Sequence, residues 1–230
     1  MSFDSIKLVL VGESGTGKTS IIQQYAYKLF DQDCASSISS QYISKVIQLE
    51  EINKSVRIEI WDTAGQERYR SMAKLFYKDA KIIILVYDIT SKPSFEELKN
   101  FWIPEVKKNC VENIILGLVA NKADLYEMEC VTDEEGVKLA EEINAVFQKT
   151  SAKSGTGINT LFYNLGRTFL DPNYDYKEKD KIDFDNYKKK KSKEQEEKNK
   201  KDGETNSSMS VKLSSEHTTK RKRGDRKSVV

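Results

Sequence analysis

The chain has 230 residues, with 38 Lys or Arg against 36 Asp or Glu and a formal net charge of +2, long enough for one α/β domain with a substantial core. That near-neutral total joins unlike parts: residues 171–230 carry 18 basic against 13 acidic residues, leaving 20 against 23 for residues 1–170, which argues against a broad nucleic-acid-binding face on the folded part. Cys34, Cys110 and Cys130 make no pairable or C-x-x-C pattern, no apolar run approaches a membrane span, and Met1-Ser2-Phe3-Asp4 has no signal-peptide core; a soluble, cytoplasmic protein without a disulfide framework or zinc site is expected.

The first element is a strand, Ile6-Lys7-Leu8-Val9-Leu10-Val11, running straight into Gly12-Glu13-Ser14-Gly15-Thr16-Gly17-Lys18-Thr19 and then a helix-compatible stretch from Thr19 to Tyr25. Strand, glycine-rich loop and helix in that order form the setting of a phosphate-binding loop. Gly12, Gly15 and Gly17 let the backbone turn tightly, so that the N–H groups of the loop and first turn, Ser14, Thr16 and Ser20 included, point at phosphate oxygens. Lys18 reaches the β- and γ-phosphates, and the Thr19 hydroxyl is placed to face a Mg²⁺ ion.

A polar stretch, Asp31 to Ser40, precedes two runs of period two, Tyr42 to Leu49 and Val56 to Trp61, which read as a β-hairpin. Continuous apolar runs at Ile82–Tyr87 and Ile114–Val119 are expected of strands buried on both faces of a largely parallel sheet. Helical patterns cover Ser94–Asn109, Thr132–Asn144 and Ile158–Phe169, the second opened by a capping box, Thr132-Asp133-Glu134-Glu135. Alternating strands and helices predict a doubly wound α/β domain with its ligand at the carboxyl ends of the strands.

Several of those strand ends carry motifs: Trp61-Asp62-Thr63-Ala64-Gly65-Gln66-Glu67-Arg68-Tyr69, then Asn121-Lys122-Ala123-Asp124, then Ser151-Ala152-Lys153. With the phosphate loop they resemble the small GTPases of the Ras superfamily, over residues 5–170. Within it, Arg57-Ile58-Glu59-Ile60-Trp61, Arg68-Tyr69-Arg70-Ser71-Met72, Phe76-Tyr77-Lys78-Asp79-Ala80 and Leu85-Val86-Tyr87-Asp88-Ile89-Thr90 are most similar to the Rab branch. The resemblance implies a P-loop NTPase of the G-domain type, with a mostly parallel six-stranded sheet, one antiparallel strand and about five flanking helices.

By the same resemblance, Asp124 accepts from the N1–H and 2-amino groups of guanine, a donor pair adenine lacks. Asn121 braces the phosphate loop and Lys122 covers the base, while the Ser151-Ala152-Lys153 loop meets the guanine oxygen through the backbone at Ala152. Phe30 stacks on the base or, on the residues alone, belongs to the core. Asp62 joins Thr19 around Mg²⁺, Gly65 senses the γ-phosphate and Gln66 orients the attacking water. Gln66 and Lys18 are thus the implied catalytic residues. Ser37 stands where the family usually has a Mg²⁺-binding threonine, and its loss of the β-branch predicts a less firmly ordered GTP state. No arginine is placed to act in cis, so an activating protein is expected to supply one in trans.

Ile38, Tyr42, Trp61, Tyr69 and Phe76 are the implied surface for exchange factors, activating proteins and effectors. Residues 171–230 should be a disordered, lysine-rich tail. No cysteine follows Cys130, and Ser2 stands in place of an acceptor glycine, so no terminal lipidation motif is expected. Lys188–Lys193 and Lys220–Lys227 would give weak contact with anionic membranes, about 1 kcal/mol per basic residue. The expected function is that of a monomeric, Rab-like GTPase in vesicle traffic. A Ran-like nuclear transport GTPase and a poorly hydrolysing nucleotide-binding scaffold remain as alternatives.

Overall fold

The structure is a computed structural model and describes residues 4–31, 42–62, 77–110 and 113–174. Six strands form one sheet: β1 (Asp4–Val11), β2 (Tyr42–Leu49), β3 (Lys54–Asp62), β4 (Ala80–Asp88), β5 (Ile115–Asn121) and β6 (Ala145–Lys149), in the order β2-β3-β1-β4-β5-β6. Only β2 runs antiparallel to its neighbour, paired with β3 from Tyr42 opposite Trp61 to Leu49 opposite Lys54. The other adjacent pairs are parallel.

Position in the sheet explains the sequence patterns. β4 is central and covered on both faces, and Ile82 through Tyr87 are all fully buried, hence its unbroken apolar run. β2 lies at the edge, and its side chains alternate exposed and buried. β6, unmarked by any run in the sequence, is five residues long, and only Ala145 and Val146 are buried. Too few residues face the core to leave a periodic signature.

Among the described residues there are five α-helices: α1 (Lys18–Tyr27), α2 (Lys92–Glu97), α3 (Ile103–Asn109), α4 (Asp133–Ile143) and α5 (Ile158–Leu170). The single helix expected over 94–109 is divided by a widened turn, Leu98–Trp102, in which the Ile103 N–H reaches back to the Leu98 carbonyl. Pro104 follows at once and cannot donate to the preceding turn, which is the ordinary cause of such a bulge. The capping box forms as expected, Glu135 N–H donating to Thr132 Oγ1 at 3.3 Å and Thr132 N–H to Glu135 Oε2 at 3.1 Å.

α1 and α5 pack together through Tyr25 stacked on Phe162, ring centroids 3.8 Å apart. Beyond α5, Arg167 pairs with Asp171 at 3.1 Å and the Tyr174 hydroxyl donates to Asn164 Oδ1 at 3.2 Å. The expected tail lies, from residue 175 onward, outside the described residues. No helix among the described residues is long and apolar enough to cross a membrane.

Because β1, β3, β4, β5 and β6 run in one direction, their carboxyl ends share one edge of the sheet. Leu10 is level with Asp62, Asp88 with Asn121, and Ala120 with Lys149. Every predicted motif within the described residues therefore leaves from that edge.

Candidate functional site

The loop after β1 closes under tight steric terms. Gly12 has φ +143°, and a Cβ there would lie 2.2 Å from the Val86 carbonyl oxygen on β4. Gly17 opens α1 at φ +92°, where a Cβ would lie 2.3 Å from Asn121 Nδ2. Neither position admits a side chain without moving backbone or the Asn121 amide.

Lys18 is 5% exposed. Its ammonium donates to the carbonyl oxygens of Gly12 at 2.9 Å and Glu13 at 2.7 Å, which arches the loop around the cation. Burial lowers its pKa to about 8, with Asp62 and Glu13 pulling the other way.

Thr19, in the first turn of α1, donates its hydroxyl to Asp62 Oδ2 at 2.6 Å, linking α1 to the end of β3. Asp62 is wholly buried. Burial raises its pKa, and the Thr19 bond and Lys18 charge oppose that rise. Its Oδ1 has no hydrogen-bond partner among the described residues, a costly state for a buried carboxylate oxygen.

Asn121 joins this end of the site to the other. Its Nδ2 donates to the Thr16 carbonyl at 2.8 Å, and its Oδ1 accepts from Thr150 Oγ1 at 3.1 Å. Thr150 is fully buried, and its backbone donates to Ala120 O at 2.8 Å while its carbonyl accepts from Ala123 N–H at 2.9 Å. The sequence reading missed Thr150 because its partner lies 29 positions away.

Ser151, 1% exposed, donates its hydroxyl to Asp124 Oδ1 at 2.7 Å and accepts from Ser154 N–H at 3.1 Å. Ala152 is buried and Lys153 exposed. The loop is closed by Ser151 N–H to Thr156 O at 3.0 Å and Gly155 N–H to Ser151 O at 2.8 Å. Asp124 thus stands beside a preformed turn with one carboxylate oxygen fixed.

The fold therefore gathers Gly12, Gly15, Thr16, Gly17, Lys18, Thr19, Asp62, Asn121, Lys122, Asp124, Ser151 and Ala152 around one strand edge. Ser14 lies exposed on the loop and Ser20 half-buried in α1. Phe30 follows the left-handed cap of α1 at Lys28 and is 38% exposed, so its ring is not part of the core. Tyr42 is 52% exposed and meets the half-buried Trp61 edge-on, with ring centroids 5.2 Å apart. Ser37, Ile38, Gly65, Gln66, Tyr69 and Phe76 lie outside the described residues.

A strand-end phosphate loop tied by one asparagine to a carboxylate-bearing loop is the arrangement of a nucleotide site. The model of the Ras family matches residues 7–171. The chain belongs to the Ras family.

It is also 40% identical over 161 residues to the Ras-related protein RHN1 of Nicotiana plumbaginifolia, covering 70% of this chain and 79% of that one. As a Ras-family small GTPase it binds GTP and GDP and hydrolyses GTP. It acts as a switch read by regulators and effectors.

Proposed function

We propose that this small GTPase is a Rab-like switch that holds GTP or GDP together with Mg²⁺ and governs a step of vesicle traffic. The observation that carries the nucleotide chemistry is Asp62: a buried carboxylate with one oxygen on the Thr19 hydroxyl at 2.6 Å and the other unpartnered beside the phosphate loop. A hard divalent cation suits that donor set, and the unpaired Oδ1 is the atom that such an ion would satisfy. Thr19 and Asp62 would hold it, with the Ser37 hydroxyl joining in the GTP state. Bound there, Mg²⁺ neutralises charge on the β- and γ-phosphate oxygens.

This chain's own residues divide the remaining work. The loop N–H groups and Lys18 orient the phosphates, and Asp124, held by Ser151, selects guanine. Gln66 orients water for attack, and the backbone at Gly65 follows the presence of the γ-phosphate. The Rab reading is supported by the segments Arg68–Met72, Phe76–Ala80 and Leu85–Thr90. Tyr42 and Trp61, already in contact, belong to the surface through which a partner reads the state. Residues 171–230 form a polar, basic tail whose lysine clusters give weak, salt-sensitive contact with anionic membranes.

Localisation and capture test the traffic reading together. Tagged full-length protein should lie on cytoplasmic vesicles, and the Gln66→Leu protein loaded with GTP should retain partners that the GDP-loaded wild type does not. Nuclear enrichment would overturn the vesicle assignment. Single-turnover GTP hydrolysis with an activating protein should fall by about two orders of magnitude on Gln66→Leu. Equal, negligible rates for both proteins would favour a scaffold.

A further inference from the structure

Asp88, the last residue of β4, carries no role in the phosphate or base chemistry described above, yet its surroundings are built. The residue is 7% exposed. Its Oδ1 accepts from both the N–H and the hydroxyl of Thr90, each at 2.8 Å. Its own N–H donates to Ser94 Oγ at 3.1 Å. The carboxylate is therefore oriented from the turn that leads into α2, and its other oxygen, Oδ2, lies 2.6 Å from Lys122 Nζ.

Lys122 is constrained from its own side as well. Its backbone is left-handed, φ +67°, a conformation a non-glycine residue holds only when its surroundings fix it. Its carbonyl accepts from Leu125 N–H at 2.8 Å, and the preceding Asn121 carbonyl accepts from Ile89 N–H at 3.1 Å. Asp88 and Asn121 are also opposite each other in the β4–β5 register. An ordinary surface ion pair would count for little, because both partners would be free to move and screened by water. Here the acid side chain is only 9% exposed and the lysine 34%, and the acid's direction is set by two further donors. With its backbone and its ammonium both held, the four-carbon stem between them is confined as well.

We propose that Asp88 is a positioning residue for base recognition. It fixes the Lys122 ammonium before nucleotide arrives, so that the lysine stem lies ready as one wall of the base site and its rotamer entropy is already lost. The inference rests on the reading that Lys122 covers the base. The gain shows in retention: binding immobilises no long side chain, and release therefore regains no side-chain freedom to drive it.

Release of a fluorescent GDP analogue from the full chain tests this, using wild type, Asp88→Asn, Lys122→Ala and the double variant. Asp88→Asn keeps the shape and an acceptor for Thr90 while losing the charge. It should speed release about fivefold to tenfold, and Lys122→Ala about tenfold or more. The double variant should release no faster than Lys122→Ala alone, because Asp88 acts through Lys122. A merely structural Asp88 would accelerate release by the same factor in both backgrounds, and that outcome, or a wild-type rate for Asp88→Asn, overturns the proposal while leaving the base reading intact. A wild-type rate for Lys122→Ala overturns both. Asp88→Glu, which restores the charge on a longer arm, should recover part of the lost retention, and no recovery together with additivity would place Asp88 in the fold alone.

Discussion

The two ends of the nucleotide site are finished to different degrees. At the base end, Asn121 is bonded at both amide atoms, Thr150 through its hydroxyl, N–H and carbonyl, and Ser151 locks Asp124. At the phosphate end, Lys18 is held by carbonyls of its own loop, and Asp62 has an oxygen with no partner among the described residues. If Asp124 reads the base as proposed, selectivity profits from the first state, since a preformed set of polar groups punishes the wrong base. On the proposed reading, response to ligand would profit from the second, since an incomplete shell would change when phosphate and the proposed ion complete it.

Predictions follow from breaking each end in turn. Gly12→Ala should do most, because its Cβ would meet the Val86 carbonyl oxygen at 2.2 Å and neither backbone can yield cheaply. Nucleotide affinity measured by calorimetry should fall at least about a hundredfold. Asp124→Ala attacks the finished end and leaves the Ser151 hydroxyl without its acceptor. Guanine nucleotide affinity should drop about a hundredfold or more, with adenine nucleotide binding unchanged and weak, so that the ratio of the two is the readout.

Removing the proposed Mg²⁺ tests the unfinished end. Chelation with EDTA should speed GDP release about tenfold or more in wild type. Asp62→Ala should reduce that response to about twofold or less, since it deletes the acceptor of the Thr19 hydroxyl and the orphan oxygen together. A full EDTA response in Asp62→Ala would separate Asp62 from the ion. The smallest effect belongs to Ser37→Thr, which should slow Mg²⁺-dependent GTP release by about twofold to threefold through its stiffer side chain. Equal rates would remove Ser37 as a source of looseness.

How much of this was legible in the sequence depended on whether a feature was local. The phosphate loop was, since glycines, lysine and threonine lie in one unbroken stretch between a strand and a helix. The buried central strands were too, because β4 exposes no side chain between Ile82 and Tyr87. β6 was hidden by its brevity, and the break at Leu98–Trp102 by a helical pattern that Pro104 interrupts only at the level of hydrogen bonds. Asp88 was read only as one residue of Leu85–Thr90, because its partner is assigned by the pairing of β4 with β5 and not by spacing. Phe30 carried two readings that residue type cannot separate, and exposure removes the core one. The expectations placed on Ser37, Gly65 and Gln66 fall outside the described residues.

The amide of Asn121, gripping the Thr16 carbonyl 105 positions earlier and the Thr150 hydroxyl 29 positions later, turns the site into a two-handed grip on a rigid frame. On the proposed reading, a ligand that has docked its phosphates would present its base to Asp124 at a local concentration set by the geometry of the frame and not by the bulk solution. Guanosine alone and pyrophosphate alone each use one hand, and neither inherits that advantage. For a switch this would have a practical meaning: a free nucleoside would compete poorly with the nucleotide, and letting go of either end would begin letting go of both.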